Sequence, residues 1–499
     1  MPTVILLITI LLCIITWFYI AWVKVRQFWK KRGVPHLPPH PILGSLTFLL
    51  WKNPGIWMIE MYKKFKAPYV GIWLFWKPAL IINSPEIAKN VLVKDFVYFR
   101  DRFLSSGTSD PIGGLNLFTV NDPLWSSLRH RLSGTFTSSK LKAMQPLIDT
   151  KTSELVERVK NTEDKTKISL RFLFTDFTTD IIATAAFGIK TNATLTGEDP
   201  MRTVTTAFMK FDTYRGLNWI SIFFFPQLVD MFRFSLFPKW ATEYFTKIFK
   251  MVSQQRLKNR GSVEYKDLME VLLKIKEEGD KNNEKISDEI IVAQAAIFLL
   301  GGFETSGSTL SFLAYELAFH QDVQDKLYME LRNYKEQSEN DQLEISELAE
   351  LPYLNAVVKE TLRKYSPMGW LDRIAAMDYK VDDNLTIPAG TPIYVNAIGM
   401  QRDSDLFPDP ETFNPDRFLP DNKKNIKQFT YLPFGEGPRN CIGQRFGLIS
   451  VRHAIANLIL NYKLLPLPEA PKPKEVEIEK KGLFLLPGQH LYLDFIKRN

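Results

Sequence analysis

Phe434-Gly435-Glu436-Gly437-Pro438-Arg439-Asn440-Cys441-Ile442-Gly443 is a loop shaped by glycines and a proline that ends in a single cysteine, with a helical pattern directly after it. A sulfur placed there faces the unpaired amides and the positive dipole end of the helix, which favour the thiolate and predict a lowered pKa. Taken alone, a lone cysteine reads as a small buried hydrophobe. The other cysteine, Cys13, sits in an apolar run near the N-terminus, so the body of the chain has no internal disulfide. That agrees with a reducing compartment.

Working outward, Glu360-Thr361-Leu362-Arg363 puts a carboxylate and a guanidinium three apart on one helix face, and Pro415-Asp416-Arg417-Phe418 follows it in the chain. Such pairs are ordinarily surface ion pairs. Trp125 and Arg129 stand four apart, so the indole and the guanidinium project to one side of a helix. Gly301-Gly302-Phe303-Glu304-Thr305-Ser306 lies within an apolar run from Ile290 to Leu313, where a buried acid and hydroxyl need an explanation. A threonine bonding back to its own helix is the plain alternative.

These segments resemble, in the right order, the motifs of the cytochrome P-450 family, from about residue 35 to the end of the chain. The cysteine loop matches FxxGxRxCxG at every fixed position. By that resemblance Cys441 is the axial metal ligand of a heme b iron, Arg439 meets a heme propionate and Phe434 packs beside the sulfur. A thiolate pushes electron density onto iron and so suits oxygen activation. Glu360, Arg363 and Arg417 resemble the family's Glu-Arg-Arg network, a structural lock on the segment carrying the cysteine loop. Trp125 and Arg129 match WxxxR, and Arg373 in Leu371-Asp372-Arg373 matches a third propionate-binding arginine. Residues 301–306 resemble the oxygen-activation motif, in which two small residues let the backbone approach the heme face and Thr305 with Glu304 relays protons. There are departures. Ser366 stands where many relatives have a proline, Gln401 replaces a common histidine, and Gly307 adds a flexible residue to the oxygen helix that bears on pocket shape.

The chain of 499 residues is 45% hydrophobic and 24% charged, a globular composition, and its net charge of +8 indicates no nucleic-acid partner. No phosphate-cradling GxxxxGK or dinucleotide GxGxxG occurs, so redox electrons come from another protein. Apolar residues recur at helical spacing from about 120 to 370, and a proline-punctuated stretch from 380 to 435 holds short strands such as Thr391 to Val395. Tyr69 to Trp76 and Ala79 to Asn83 read as a hairpin interrupted by Lys77-Pro78, and Ser84-Pro85-Glu86 as a helix start. The predicted fold class is mostly α with a minor β portion. Residues 1–23 read as a membrane anchor, 24–45 as a basic, proline-rich linker and 46–499 as one catalytic domain. Val4 to Val23 carry no charge and make a helix of about 30 Å, matching a bilayer core. Lys24, Arg26, Lys30, Lys31 and Arg32 follow the run instead of preceding it, which argues against a cleaved signal and holds the remaining chain in the cytosol.

The resemblance implies a P-450 fold with one N-terminal transmembrane helix in the endoplasmic reticulum membrane and a cytosolic catalytic domain. It implies electrons from NADPH through NADPH-cytochrome P-450 reductase, with cytochrome b5 as a further donor, and insertion of one atom of O2 into a lipophilic small molecule. The loop with Glu436 and Asn440 is most similar to insect microsomal members that oxidise plant toxins and insecticides. Oxidation of an endogenous hormone or fatty acid is the alternative, and a heme-thiolate isomerase or dehydratase and a heme sensor are rival classes. Thr305 discriminates, because neither rival needs an acid-threonine pair. Pocket-lining regions of the family contain Phe103, Leu104, Phe118, Phe208, Phe211, Ala293, Phe298, Trp370, Leu371 and Phe484 here. Ile220 to Phe225, with Phe232, Phe234 and Phe237, resemble a second membrane-contacting segment, with buried core as the rival. Arg129, Arg131, Lys423, Lys424, Lys427 and Arg445 are candidates for a basic face that docks the acidic reductase.

Overall fold

The 32-residue helix Asp288–Phe319 runs through the centre of the computed structural model, which describes residues 2–259, 267–282, 284, 286–338 and 342–498. The Ser287 hydroxyl caps it by accepting from Ile290 N–H, and Asp288 and Glu289 sit in its first turn, where the positive dipole end favours them. The helix is apolar on nearly every side and is core, although its length and composition alone would let it cross a bilayer. Helix Leu170–Phe187 packs most extensively against it. The approach is close because two glycines face that helix. A Cβ on Gly302 would meet Ile182 at 2.6 Å, and one on Gly307 would meet Thr175 at 2.9 Å. Gly307 therefore serves helix packing and not, as expected, the shape of the pocket. Thr178 Oγ1 also donates across to the Phe303 carbonyl at 2.8 Å.

Strands Tyr69–Leu74 and Lys77–Ile82 form the expected antiparallel hairpin, with Tyr69 opposite Ile82. Lys77 and Pro78 belong to the second strand instead of interrupting it, because a proline at the start of a strand costs little pairing. Pro392–Val395 joins parallel to that strand, and Leu371–Ile374 closes the four-stranded sheet at its far edge. Everything else of size is helical, so the fold is mostly α with a minor β portion.

The N-terminal helix Pro2–Arg26 buries no residue and is long and apolar enough to cross a membrane. Its end is clasped by two indoles. Trp73 Nε1 donates to Val25 O at 3.1 Å, and Trp29 Nε1 donates to Ile72 O at 3.0 Å. Trp29 is fully buried, with its ring where a side chain at Gly71 would be, 2.4 Å from an ideal Cβ. Residues 24–45 therefore include a packed segment against the hairpin.

Ile220 to Phe225 does not reach out toward lipid. Ile222, Phe223 and Phe224 are at most 1% exposed, and Phe224 stacks on Tyr394 with Phe48 edge-on. Phe234 and Phe237 are buried as well, and the apolar side chains left outside are Met231 and Phe232. Phenylalanines in a run look alike whether they face lipid or core, and here facing aromatic rings take them. Removal of residues 2–23 should keep the thermal midpoint within a degree or two, because the Trp29 clasp stays. Trp29→Ala in that shortened chain should cost about 3–5 kcal/mol in denaturant unfolding, the range for deleting a buried Trp.

Candidate functional site

The cysteine loop closes on itself before the helix Gln444–Asn461 begins. Cys441 N–H donates to Phe434 O at 2.8 Å and Asn440 N–H to Gly437 O at 3.0 Å. Gly437 has φ of 76° and abuts the Leu92 carbonyl, so only glycine fits both the left-handed backbone and the contact. The Cys441 sulfur lies deep in the body, and the surface it exposes belongs to a cavity. Burial pushes the thiol pKa up. The Gly443 N–H and the Arg129 charge pull it down without winning, so the expected lowering does not hold for the protein alone. Arg129 is held beside the loop by donating to Asn440 Oδ1 at 2.7 Å.

The same cavity is lined by Gly301, Gly302, Thr305 and Ser306 of the central helix. Gly301 is exposed in the buried middle of the helix because it faces that space. Thr305 Oγ1 donates to Gly301 O at 2.7 Å, so its hydrogen serves its own helix while its lone pairs face the cavity. Glu304 points the other way, toward helix Leu170–Phe187, with Arg171 Nη2 at 3.4 Å. The residue is 2% exposed, and burial raises its pKa against the pull of Arg171.

Positive charge gathers at one edge. The Arg439 guanidinium lies over the Trp125 ring at 4.1 Å and donates to backbone carbonyls of Arg100 and Val120. Arg373 is 1% exposed, and burial plus the nearby Arg102 bring its pKa down to about 9. Arg439 falls to about 9 by burial, then by Arg102 and Arg373. One buried acid, Asp372, pairs with Arg102 at 2.9 Å. Arg102 Nε, Arg373 Nε and Arg439 Nη1 are buried without a partner. Such mutually repelling guanidinium groups, each with one unused donor atom, fit an anionic ligand with more than one carboxylate.

Behind the loop, Arg363 grips Glu360 in two parallel bonds of 2.7 and 2.8 Å, with neither side chain exposed. Arg417 Nε reaches Glu360 at 3.3 Å, and both arginines also donate to carbonyls of Gln401 and residues 408–410. The structure thus brings the three motif residues together. Ser366 and Gln401 are partners as well. Gln401 Nε2 donates to Ser366 Oγ at 3.0 Å, and Gln401 Oε1 accepts from Leu432 N–H at 2.9 Å, two residues before the cysteine loop.

A family model for cytochrome P450 matches residues 34–495. This chain belongs to the cytochrome P450 family. Cytochrome P450 6k1 of Blattella germanica is 35% identical over 98% of this chain and 96% of its own length. Cytochrome P450 6a2 of Drosophila melanogaster is 35% identical over 89% of this chain and 91% of its own, and the probable cytochrome P450 6w1 of the same fly is 34% identical over 89% of each. The family uses a thiolate-ligated heme iron, and the chain is accordingly an oxidoreductase of the monooxygenase type. The donor set fits that group: a cavity-facing thiol, and arginines with unused donor atoms for its two propionates.

Among the expected site residues, Cys441, Arg439, Trp125, Arg129, Phe434 and Thr305 line the cavity, and so do Phe118, Phe298, Leu371 and Phe484. Arg373 stands just behind the lining. Phe103, Leu104, Phe208, Phe211, Ala293 and Trp370 are not in the lining, and all but the half-buried Phe211 are packed in the core. Reading the sequence missed Arg102 and Arg171, which belong to no motif; the acidic neighbour Asp372 beside Arg373 was the available hint of a partner. Replacing Glu360 with Gln should cost about 3–5 kcal/mol, because it leaves Arg363 and Arg417 without their counter-charge inside the protein. Urea midpoints of the wild-type and variant holoenzymes would measure it.

Proposed function

We propose that this chain inserts one atom of O2 into lipophilic foreign compounds, plant toxins and insecticides among them, in the cavity shared by Cys441 and Thr305. The observation that carries the reading is that a thiol and the Thr305 hydroxyl border one largely apolar cavity with arginines at its edge. When bound, the heme supplies the oxygen-activating iron chemistry. Cys441 is the metal ligand, and the Gly443 N–H and Arg129 hold negative charge on its sulfur. Arg439, Arg373, Trp125, Arg129 and Arg102 hold the propionates, and Phe434 shields the sulfur. Phe118, Phe298, Leu371 and Phe484 exclude water and hold an apolar substrate.

Thr305 Oγ1 delivers a proton by turning its hydrogen from Gly301 O into the cavity, and Glu304, whose protonated form burial favours, resupplies it after its side chain swings from Arg171 toward the cavity. The apolar lining suits a lipophilic substrate, and the relatives are insect cytochrome P450 6 proteins, the branch that the cysteine loop resembles. Electrons come from NADPH through NADPH-cytochrome P-450 reductase, or from cytochrome b5, docked on exposed Lys423, Lys424 and Arg445. The other expected docking cations are engaged: Arg131 with Glu284, Lys427 with Glu86 and Arg129 at the cavity. The N-terminal helix is a single-pass anchor in the endoplasmic reticulum membrane with the catalytic domain cytosolic, and exposed Leu50, Trp51, Met231 and Phe232 touch lipid.

The reduced carbonyl complex should show the red-shifted Soret band of sulfur ligation, and Cys441→His should abolish it. A His variant that keeps the band would overturn the ligand assignment. Thr305→Ala should leave that band in place while product per NADPH falls on the order of tenfold and hydrogen peroxide rises. This is less than the roughly 10²-fold worth of positioned proton transfer, because water partly replaces the hydroxyl. Unchanged coupling across several substrates would reduce Thr305 to a helix bond.

A further inference from the structure

The C-terminal part of the chain returns to the cavity through a loop between Ile478 and Pro487, which pair as an isolated bridge. Phe484 of this loop lines the cavity beside Trp219, ring centroids 5.9 Å apart and nearly edge-on. The loop's backbone amides tie it at its base and just after the ring. Glu479 N–H donates to Leu486 O and Leu485 N–H to Pro367 O, each at 2.9 Å. The carbonyls of Glu479, Gly482 and Phe484 converge instead on one atom, Asn53 Nδ2, at 2.9, 3.1 and 3.1 Å.

Asn53 is 1% exposed and more than four hundred residues away in sequence. Among the described residues no other donor reaches those three carbonyls. Two amide hydrogens serve three acceptors, so one is shared. The other end of the same side chain is occupied too. Asn53 Oδ1 accepts from Gly55 N–H at 2.8 Å and caps helix Pro54–Phe65. The amide therefore ties the start of a rigid helix to the curve of a loop that, without it, leaves three carbonyls unpaired beside apolar side chains.

We infer that Asn53 is a positioning residue that sets substrate specificity. Its amide fixes where Phe484 stands against Trp219, and that corner selects flat, rigid ring systems over flexible chains. The inference rests on the proposed reading of the cavity as the site of oxidation. Asn53→Ser and Asn53→Asp each keep an oxygen for the Gly55 N–H cap and lose the amide donor. They separate the helix-capping role from the loop-holding role.

The test uses full-length holoenzyme whose reduced carbonyl band matches wild type, with naphthalene as the rigid probe and dodecane as the flexible one. Both variants should weaken naphthalene binding, read by the substrate-induced Soret shift, about three- to tenfold, the worth of one aromatic contact. The ratio of the two naphthol isomers should also change, with dodecane affinity nearly unmoved. Adding Asn53→Ser to Phe484→Ala should produce no further change, because the amide acts through that ring. Equal loss for both probes, or full additivity with Phe484→Ala, would overturn the inference. If the Asn53 variants fail to load heme, Gly216→Ala presses the same loop from the buried helix that carries Trp219, since its Cβ would meet Lys481 O at 2.7 Å. It must move the isomer ratio, and an unchanged ratio would refute the assignment. A wild-type enzyme giving no shift with either probe would instead bring down the cavity reading, and this inference with it.

Discussion

The bidentate bond between Arg363 and Glu360 is the constraint on which the rest depends, because neither charge can be left alone where it lies. Taking a carboxylate and a guanidinium out of water is expensive, and the attraction between them offsets that cost only with good geometry and with every remaining polar atom satisfied. Here Arg363 uses its spare donors on the carbonyls of Gln401 and Pro410, and Glu360 accepts from Asn414 N–H and Arg417. The proline-rich segment has little regular secondary structure of its own to hold it. Its path is set by these charge-assisted bonds, and that path delivers the cysteine loop to the cavity.

The heme edge works on the opposite principle. Arg102, Arg373 and Arg439 are gathered with too little negative charge, and each keeps a buried donor atom unused. The protein alone therefore stores electrostatic strain that a dianionic cofactor relieves, so heme binding contributes to folding stability as well as to chemistry. The thiol tells the same story: burial raises its pKa, and a bound cation would favour the thiolate there.

The parts legible in the sequence were those whose chemistry is local. The cysteine loop, the Glu360–Arg363 spacing, the Trp125–Arg129 pair and the hairpin all follow from short-range geometry, and the structure places them as read. What could not be read depends on distant partners. Arg102 matters because Asp372 lies 270 residues on, and Phe224 is core because Tyr394 and Phe48 reach it. Glu304 and Thr305 are adjacent, yet a helix turns successive side chains by about 100°, so one faces the cavity and the other faces Arg171. Ser366 and Gln401 looked like two separate departures until the fold showed them bonded to each other.

The indole clasp at Trp29 and Trp73 turns the N-terminal helix from a tether into a mast. Two residues, Gln27 and Phe28, separate its last turn from a fully buried ring, so the connection is short. Once the mast stands in a bilayer, the body can drift sideways but can neither tumble nor rise. Its meetings with another membrane-bound protein become collisions on a plane between partners already facing each other. A modest charged patch then suffices for pairing, since the bilayer has done most of the orienting beforehand.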